Sequence, residues 1–311
     1  MNIKKPKFWD FKKPNLTSYL LLPFTIPLLI NNFFLNKKNK KIKTIKSICV
    51  GNIYIGGTGK TPSTIKLYEI LRKIEPQICT GKKFYSNHED EKIILEKKTN
   101  LISEDNREKI IQIAIKKKQK IIIFDDGLQD KKLDFDLKFV CFEAENWIGN
   151  GKLIPAGPLR EKISSLKKYD AVFLKDSELN KNVQEIIKNY NQNIEVFHTS
   201  YQIKNFHSFD LSKKFLVFSG IGNPKNFINI LNRNNFEIID QIIFSDHYNY
   251  KQKDINFIKN RAKKINAEII TTEKDFVKIS EFDNKNINFL EIDLKIENEK
   301  KLINFIKKKI I

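Results

Sequence analysis

A glycine-rich turn joining an apolar strand to a helical segment constrains the fold of this chain more than any other feature. The apolar run at residues 47–50 leads into GNIYIGGTGKTP, and residues 62–74 then carry a helical pattern. In such a turn the glycines let backbone N–H groups converge on phosphate oxygens, a lysine reaches the outer phosphates, and the next hydroxyl can bind Mg²⁺. The sequence therefore predicts a phosphate-binding loop in which Lys60 and Thr61 take these two roles.

The loop departs from the common GxxxxGK[ST] pattern. Tyr54 stands at the first glycine position, and the earlier glycine is Gly51. The alternative interpretation is a glycine-rich turn that contains GKT by chance. The predicted ATP-binding residues are Tyr54, Ile55, Gly56, Gly57, Thr58, Gly59, Lys60 and Thr61.

A second polar element follows another apolar strand, in IIIFDDGLQD. Asp125 and Asp126 stand at the carboxyl end of that strand, where ligands bind in open α/β sheets. Carboxylates there can hold Mg²⁺ directly or through water. The sequence predicts a metal site of Thr61, Asp125 and Asp126, with a turn or helix cap at the Asp-Gly pair as the alternative.

From residue 46 onward, short β-branched runs alternate with amphipathic lysine-rich segments, a pattern typical of a parallel sheet covered by helices. Strands are predicted at 47–50, 77–79, 121–124, 138–142 and 171–174, and a second α/β series begins near residue 214 with KFLVFSG. The predicted fold is α/β, with a P-loop NTPase-like parallel sheet flanked by helices and a second, smaller α/β lobe. The predicted division is a membrane-associating segment at 1–40, a nucleotide-binding core at 41–205 and a C-terminal lobe at 206–311.

The most apolar stretch is LTSYLLLPFTIPLLINNFFL, with lysines on both sides. Pro23 and Pro27 each remove a helix hydrogen bond, and Asn31 and Asn32 would meet hydrocarbon, so a membrane span is disfavoured. The stretch lacks the small-residue cleavage pattern of a signal peptide. We expect an interfacial helix or hairpin at an anionic lipid surface, with a buried core helix as the open alternative.

The net charge of +20 is nearly all lysine spread along the chain, and no basic stripe interleaved with aromatics stands out. The sequence therefore predicts no nucleic-acid partner, although a positive field attracts phosphates and anionic lipids. Cys49, Cys79 and Cys141 lie far apart in apolar runs without metal-ligand spacing. We expect three buried, reduced thiols and a folded body in the cytosol.

Six segments in order resemble the signature segments of the tetraacyldisaccharide 4′-kinase family: GNIYIGGTGKTP, DDGLQ, GNGKLIPAGPLRE, FSGIGNPKNF, FSDHYNY and TTEKDFVKI. The apolar, basic N-terminus is similar to the family's membrane-associating segment. The resemblance implies Mg²⁺-dependent transfer of the ATP γ-phosphate to the 4′-hydroxyl of a tetraacyldisaccharide 1-phosphate, which gives lipid IVA in lipid A biosynthesis. It also implies a peripheral or monotopic enzyme at the cytoplasmic face of the inner membrane. Protein partners are left unknown by the sequence.

By position, the resemblance assigns Asp90 in NHEDEKIIL as the base that accepts the sugar hydroxyl proton. His247 in SDHYNY is expected to be its proton partner, because an adjacent or nearby carboxylate such as Asp246 could orient its imidazole. With Lys60 these form the expected catalytic set. Gln129, Arg107 and Arg160 are expected to bind substrate, since a planar guanidinium suits anion recognition. The alternatives are a solvated acidic loop for Asp90, a structural histidine, and surface salt bridges for the arginines.

This chain departs from the family pattern at three places. TGKKFYSN replaces the usual SRGYGR-type stretch, so that Lys82 and Lys83 are the nearby cations, Asp130 replaces a histidine, and Lys162 replaces a proline. The competing function is a variant P-loop ATPase of the partition or carrier type, which would turn over without lipid. A third interpretation, a basic nucleic-acid-binding protein, rests on net charge alone.

Overall fold

A computed structural model describes residues 5–34, 40–41, 44–84, 89–130, 132–175 and 181–310. The rest of the TGKKFYSN stretch, from residue 85, lies outside these ranges. The chain forms two compact units that interleave in sequence. The larger unit comprises residues 5–84, 98–200 and 294–311, and the smaller comprises 1–4, 85–97 and 201–293. The linear division at residues 40 and 205 stays a prediction.

Helices cover much of the described chain, and several begin at a residue whose side chain accepts backbone N–H groups. Asn106 accepts from the amides of Glu108 and Lys109, and Thr272 accepts from that of Asp275. The helices are α1 (Leu16–Leu20), α2 (Ile26–Phe34), α3 (Lys60–Arg72), α4 (Glu89–Lys98), α5 (Arg107–Lys116), α6 (Lys181–Tyr190), α7 (Pro224–Arg233), α8 (Gln252–Lys264), α9 (Glu273–Lys278) and α10 (Glu299–Ile310).

Among the strands, the four at the centre of the larger sheet are apolar runs, as expected for a sheet buried on both faces. The strands are two to nine residues long. They are β1 (Lys40–Lys41), β2 (Lys46–Gly51), β3 (Ile78–Lys83), β4 (Leu101–Glu104), β5 (Ile121–Asp125), β6 (Leu133–Asp134), β7 (Leu137–Glu143), β8 (Ala171–Lys175), β9 (Glu195–Ile203), β10 (Lys214–Ser219), β11 (Glu237–Ile243), β12 (Glu268–Thr272), β13 (Ile287–Leu290) and β14 (Ile292–Ile296).

The larger unit is built on an eight-stranded sheet of order β14-β9-β8-β7-β2-β5-β3-β4, and its pairs from β9 to β4 are parallel. One core covers the face with Ile48, Leu67 and Phe139, and another covers the opposite face with Cys49, Ile110 and Phe124. Parallel order brings the carboxyl ends of β2, β3 and β5 to one edge. This confirms the predicted α/β fold with a parallel sheet flanked by helices.

The smaller unit has its own parallel sheet, of order β11-β10-β12-β13. Phe215 and Val217 on β10 face one core, and Leu216 and Phe218 face the other.

Cys49, Cys79 and Cys141, which belong to the larger unit, are buried and free, as predicted.

The apolar N-terminal stretch folds as α1, a 3₁₀ turn at Leu22–Thr25 and α2. Within the described residues, no helix is both long and apolar enough to cross a bilayer. The burial of this segment is inverted relative to an ordinary surface helix. Ser18 and Thr25 are buried, whereas Leu16, Leu20 and Phe24 are 76%, 68% and 67% exposed. This exposure does not fit the alternative of a buried core helix.

Candidate active site

The turn after β2 has the backbone conformation that its glycines permit. Gly59 precedes the first residue of α3 with φ +83°, and Gly56 has φ +137°, both in the region that favours glycine. Asn52, fully buried, donates from Nδ2 to the Tyr54 carbonyl at 2.6 Å and to the Thr58 hydroxyl at 3.0 Å. The loop is therefore held from inside, and Lys60 and Thr61 open the helix that follows it.

Tyr54 contributes its backbone to this loop, while its side chain is buried against the N-terminal segment. Its hydroxyl donates to Asp10 Oδ1 at 2.7 Å and accepts from Lys5 Nζ at 2.5 Å. Burial, reinforced by the Asp10 carboxylate, raises the pKa of Tyr54 well above its ordinary value. Tyr54 also forms an antiparallel bridge with Leu159, which fixes the segment that carries Arg160.

The structure places Thr61, Asp125 and Asp126 together. Thr61 Oγ1 donates to Asp125 Oδ2 at 3.1 Å, and Lys60 Nζ lies 3.9 Å from Asp126 Oδ2. Asp125 ends β5 and is 1% exposed, whereas Asp126 follows with φ +61°. Because the backbone of Asp126 is in the left-handed region, the two adjacent carboxylates lie in different surroundings.

The three residues expected to bind substrate surround Asp126. Arg160 Nη1 donates to Asp126 Oδ2 at 3.3 Å and lies 3.5 Å from Gln129 Oε1. Arg107 donates from Nη2 to the Asp126 carbonyl at 2.5 Å and from Nη1 to Asp130 Oδ2 at 2.9 Å. Asp130, which departs from the family pattern, thus orients Arg107.

Four cations surround Asp126 and set its ionisation. Burial would raise the pKa of Asp126, but the nearby cations outweigh it and lower that pKa below its ordinary value. These cations are Lys60, Arg160, Lys82 and Arg107. These four cations thus pair with three carboxylates, those of Asp125, Asp126 and Asp130.

Lys82 is a member of this site that the sequence did not assign a role. It lies in β3, is 6% exposed, and its Nζ is 2.6 Å from Asp125 Oδ2. Its placement depends on β3 pairing with β5, which sequence spacing does not reveal. Asn52 and Glu161 were also missed; Glu161 Oε1 accepts from Gln129 Nε2 at 2.8 Å and from the Tyr169 hydroxyl at 2.8 Å.

In the smaller unit, the structure brings Asp90 and His247 together, as the resemblance implied. His247 Nδ1 lies 3.2 Å from Asp90 Oδ2, and Asp90 is 3% exposed near the start of α4. His247 has φ +53°, and its amide donates to the Gly220 carbonyl at 3.1 Å. Its Nε2 lies 3.9 Å from the more exposed Asp246 carboxylate. The catalytic roles of both residues stay predictions.

Two lysines of the TTEKDFVKI segment complete this cluster. Lys278 Nζ lies 3.2 Å and Lys274 Nζ 3.6 Å from Asp90 Oδ2. Burial would raise the pKa of Asp90, but His247 and the two lysines outweigh it and hold that pKa well below its usual range. Asp90 is therefore ionised at neutral pH. Thr272 accepts from the Asp275 amide and caps α9, which carries both lysines.

Comparison with known proteins identifies relatives of this chain. The family model described as tetraacyldisaccharide-1-P 4′-kinase matches residues 24–311. A tetraacyldisaccharide 4′-kinase of Pelagibacter ubique is 46% identical over 305 residues, covering 98% of this chain and 97% of the relative. One from Rickettsia akari is 34% identical, covering 94% and 93%.

A solved structure shares the fold. It is LpxK from Aquifex aeolicus in complex with ATP, which aligns with a TM-score of 0.71 and 22% identity over 95% of this chain and 100% of that one. The extent of the family match and the identity to these relatives establish that this chain belongs to the tetraacyldisaccharide-1-P 4′-kinase family.

Proposed function

We propose that this protein transfers the γ-phosphate of ATP to the 4′-hydroxyl of a tetraacyldisaccharide 1-phosphate, forming lipid IVA in lipid A biosynthesis. The observation that carries the proposal is the grouping of Lys60, Thr61, Asp125 and Asp126 at the carboxyl edge of the larger sheet. Family membership identifies the acceptor class, and the phosphate-binding geometry fits the donor.

Phosphoryl transfer needs positioning and charge neutralisation more than covalent help from the protein. Backbone amides of residues 56–61 would bind the phosphates, and Lys60 would neutralise their outer oxygens. Arg160 and Arg107 already lie against Asp126 and add two guanidinium groups at the same edge. These groups would stabilise negative charge that shifts toward the leaving oxygen.

The donor set suits magnesium. Mg²⁺ binds through one or two protein oxygens and completes its shell with phosphate and water. Thr61 Oγ1 and Asp125 Oδ2 are hard oxygens 3.1 Å apart, and the described residues contain no cluster of three His, Cys, Asp or Glu side chains typical of an all-protein metal cage. Thr61 and Asp125 would hold the ion, with Asp126 nearby. When bound, Mg²⁺ would neutralise phosphate charge.

The acceptor hydroxyl must lose a proton during transfer. Asp90 is buried and ionised, and it lies against Nδ1 of His247. A carboxylate in this position favours the tautomer with the proton on Nδ1, which leaves Nε2 as a proton acceptor. We therefore propose that Asp90 orients His247 and that His247 Nε2 takes the hydroxyl proton.

The N-terminal segment supports action at the cytoplasmic face of the inner membrane. Its exposed apolar side chains form one group: Phe11, Leu16, Tyr19, Leu20, Phe24, Ile26 and Ile30. Lys12 and Lys13 are exposed beside them. Burying one such side chain in an apolar phase is worth about 1.5–3 kcal/mol, and each lysine near an anionic surface adds about 1 kcal/mol. Lipid substrate chains stay in the bilayer, so an interfacial enzyme reaches them there.

The direct test supplies ATP, Mg²⁺ and purified tetraacyldisaccharide 1-phosphate in mixed micelles, followed by mass analysis of the lipid. One added phosphate on the distal sugar is expected. ATP hydrolysis that proceeds equally without the lipid, and leaves it unmodified, would favour the partition-type ATPase instead.

Membrane attachment has its own test in vesicle flotation with anionic lipid. Phe24→Ser should reduce the bound fraction, because it removes an apolar side chain from the exposed group. Phe257→Ser is the matched control, since Phe257 is 53% exposed on α8, outside that group. Equal binding by the parent and both variants would contradict the proposed membrane surface.

A further inference from the structure

The TGKKFYSN stretch places a buried cation on the metal-binding carboxylate. Lys82 Nζ lies 2.6 Å from Asp125 Oδ2, and the side chains are 7% and 0% exposed. The same oxygen accepts the Thr61 hydroxyl at 3.1 Å, while Asp125 Oδ1 accepts the Thr64 hydroxyl at 3.2 Å. Both carboxylate oxygens of Asp125 therefore accept hydrogen bonds from side chains of this unit.

Burying this ion pair costs free energy, because each charge loses its hydration. A buried ion pair is often no more stabilising than apolar residues of the same volume, so its presence is weak evidence for a stability role. Lys82 lies in β3, directly beside β5, the strand that ends at Asp125. Its position at the phosphate-binding edge points to a role in ligand binding.

A divalent cation and an ammonium group cannot both bind Asp125 Oδ2 closely without strong repulsion. Two positive charges about 4 Å apart repel strongly at the edge of a protein, and the second charge of a divalent ion doubles this repulsion. Binding of Mg²⁺ at Asp125 thus requires the lysine to leave that oxygen or to gain an anionic partner. The flexible four-carbon stem of lysine permits such a move, and phosphate oxygens would be the nearest new anions.

We propose that Lys82 is the resident counter-ion of Asp125, which releases this carboxylate to magnesium and turns to the nucleotide phosphates when Mg-ATP binds. This inference rests on the proposed ATP site. It gives the lysine-substituted stretch a function: Lys82 supplies the phosphate site with a cation that is present even without metal.

The test is calorimetric titration of ATP, once with EDTA and once with Mg²⁺, for the parent, Lys82→Met and Lys83→Met. Lys83 is the next residue of β3 and serves as the matched control. We expect Lys82→Met to weaken metal-free ATP binding by about tenfold or more, because the Asp125 carboxylate is then left without its counter-ion beside the bound phosphates. With Mg²⁺ present, we expect Lys82→Met to weaken ATP binding by a smaller factor. Mg²⁺ should therefore raise the ATP affinity of Lys82→Met more than it raises that of the parent. Lys83→Met should match the parent.

A second comparison covers the case in which Lys82→Met leaves Asp125 unpaired and unfolds the protein. Asp125→Asn and the double variant Lys82→Met/Asp125→Asn both avoid a buried lone carboxylate. Metal-free ATP should bind about tenfold more weakly to the double variant than to Asp125→Asn.

The outcomes separate this inference from the proposed function. Equal losses with and without Mg²⁺, or no loss at all, would overturn the role of Lys82 while leaving the ATP site in place. A parent that binds no ATP under either condition would refute the nucleotide site, and the role of Lys82 with it.

Discussion

The contact between Asp90 and His247 makes a quantitative prediction about turnover. If Asp90 fixes the tautomer of His247, Asp90→Asn should leave the imidazole in place but no longer favour the tautomer with the proton on Nδ1. Base catalysis contributes about 10²–10⁴-fold, equivalent to about 3–5 kcal/mol of barrier. We expect Asp90→Asn and His247→Gln each to lower kcat by about 10²–10⁴-fold.

The structure supports a large effect because the contact is shielded from solvent. His247 Nδ1 is 3.2 Å from an oxygen of a carboxylate whose side chain is 2% exposed. Asp246 offers a matched control, since its side chain is 44% exposed and it lies 3.9 Å from Nε2. Exposed pairs of this kind are worth about 0.2–1 kcal/mol, so Asp246→Asn should lower kcat by about fivefold at most.

The assay is a double-mutant cycle on kcat, with ATP affinity and thermal melting measured for every variant. Residues that act as a unit give strongly non-additive losses. The kcat of the double variant should therefore be only slightly below that of the single variant with the lower kcat. The ATP affinity of every variant should stay near that of the parent. Fully additive losses, or an Asp90→Asn enzyme with near-parental kcat, would refute the dyad.

Three further predictions concern the phosphate loop and stability. Lys60→Met should lower kcat by about 10²–10³-fold with an unchanged melting temperature, since the lysine acts through charge and not through the core; near-parental turnover would exclude its phosphate role. Gly51→Ala should lower the free energy of unfolding by about 1–3 kcal/mol, because the new Cβ would lie 2.6 Å from Leu128 Cγ. Urea denaturation measures this loss, and a Leu128→Ala background should reduce it if the clash is the cause. Asp90 has a folded-state pKa below its unfolded value, so its stabilisation is present above about pH 4 and is lost as pH falls toward the folded pKa. Urea midpoints of Asp90→Asn measured from about pH 6 to pH 2 should fall less steeply than those of the parent; parallel curves would contradict this.

The phosphate side of the site could be predicted from sequence because its residues are local to strand ends. Lys60 and Thr61 follow one apolar run and Asp125 ends another, and a parallel sheet places such ends at one edge. Strand order is not written in the spacing. Lys82 could be recognised as a nearby cation, but its contact with Asp125 depends on β3 lying directly beside β5.

The acceptor-side residues were found by a different route. Composition and periodicity favour a solvated loop for the acidic segment around Asp90, and the resemblance to the family alone singled this residue out. The structure shows why local pattern fails there. Asp90 is buried only because residues far along the chain, His247, Lys274 and Lys278, enclose it and balance its charge.

The sequence also could not predict which face of the N-terminal segment is turned toward the protein. Hydropathy identifies Leu16–Leu20 and Ile26–Phe34 as apolar but does not tell which side faces the protein. The polar residues decide this. The Ser18 hydroxyl accepts from Asn150 Nδ2 at 2.9 Å, and Asn32 Nδ2 donates to the Arg160 carbonyl at 2.8 Å. Because hydrogen bonds turn these polar groups toward the protein, the apolar side chains point outward. An outward apolar face is stable in water only at a cost, and contact with lipid would remove that cost.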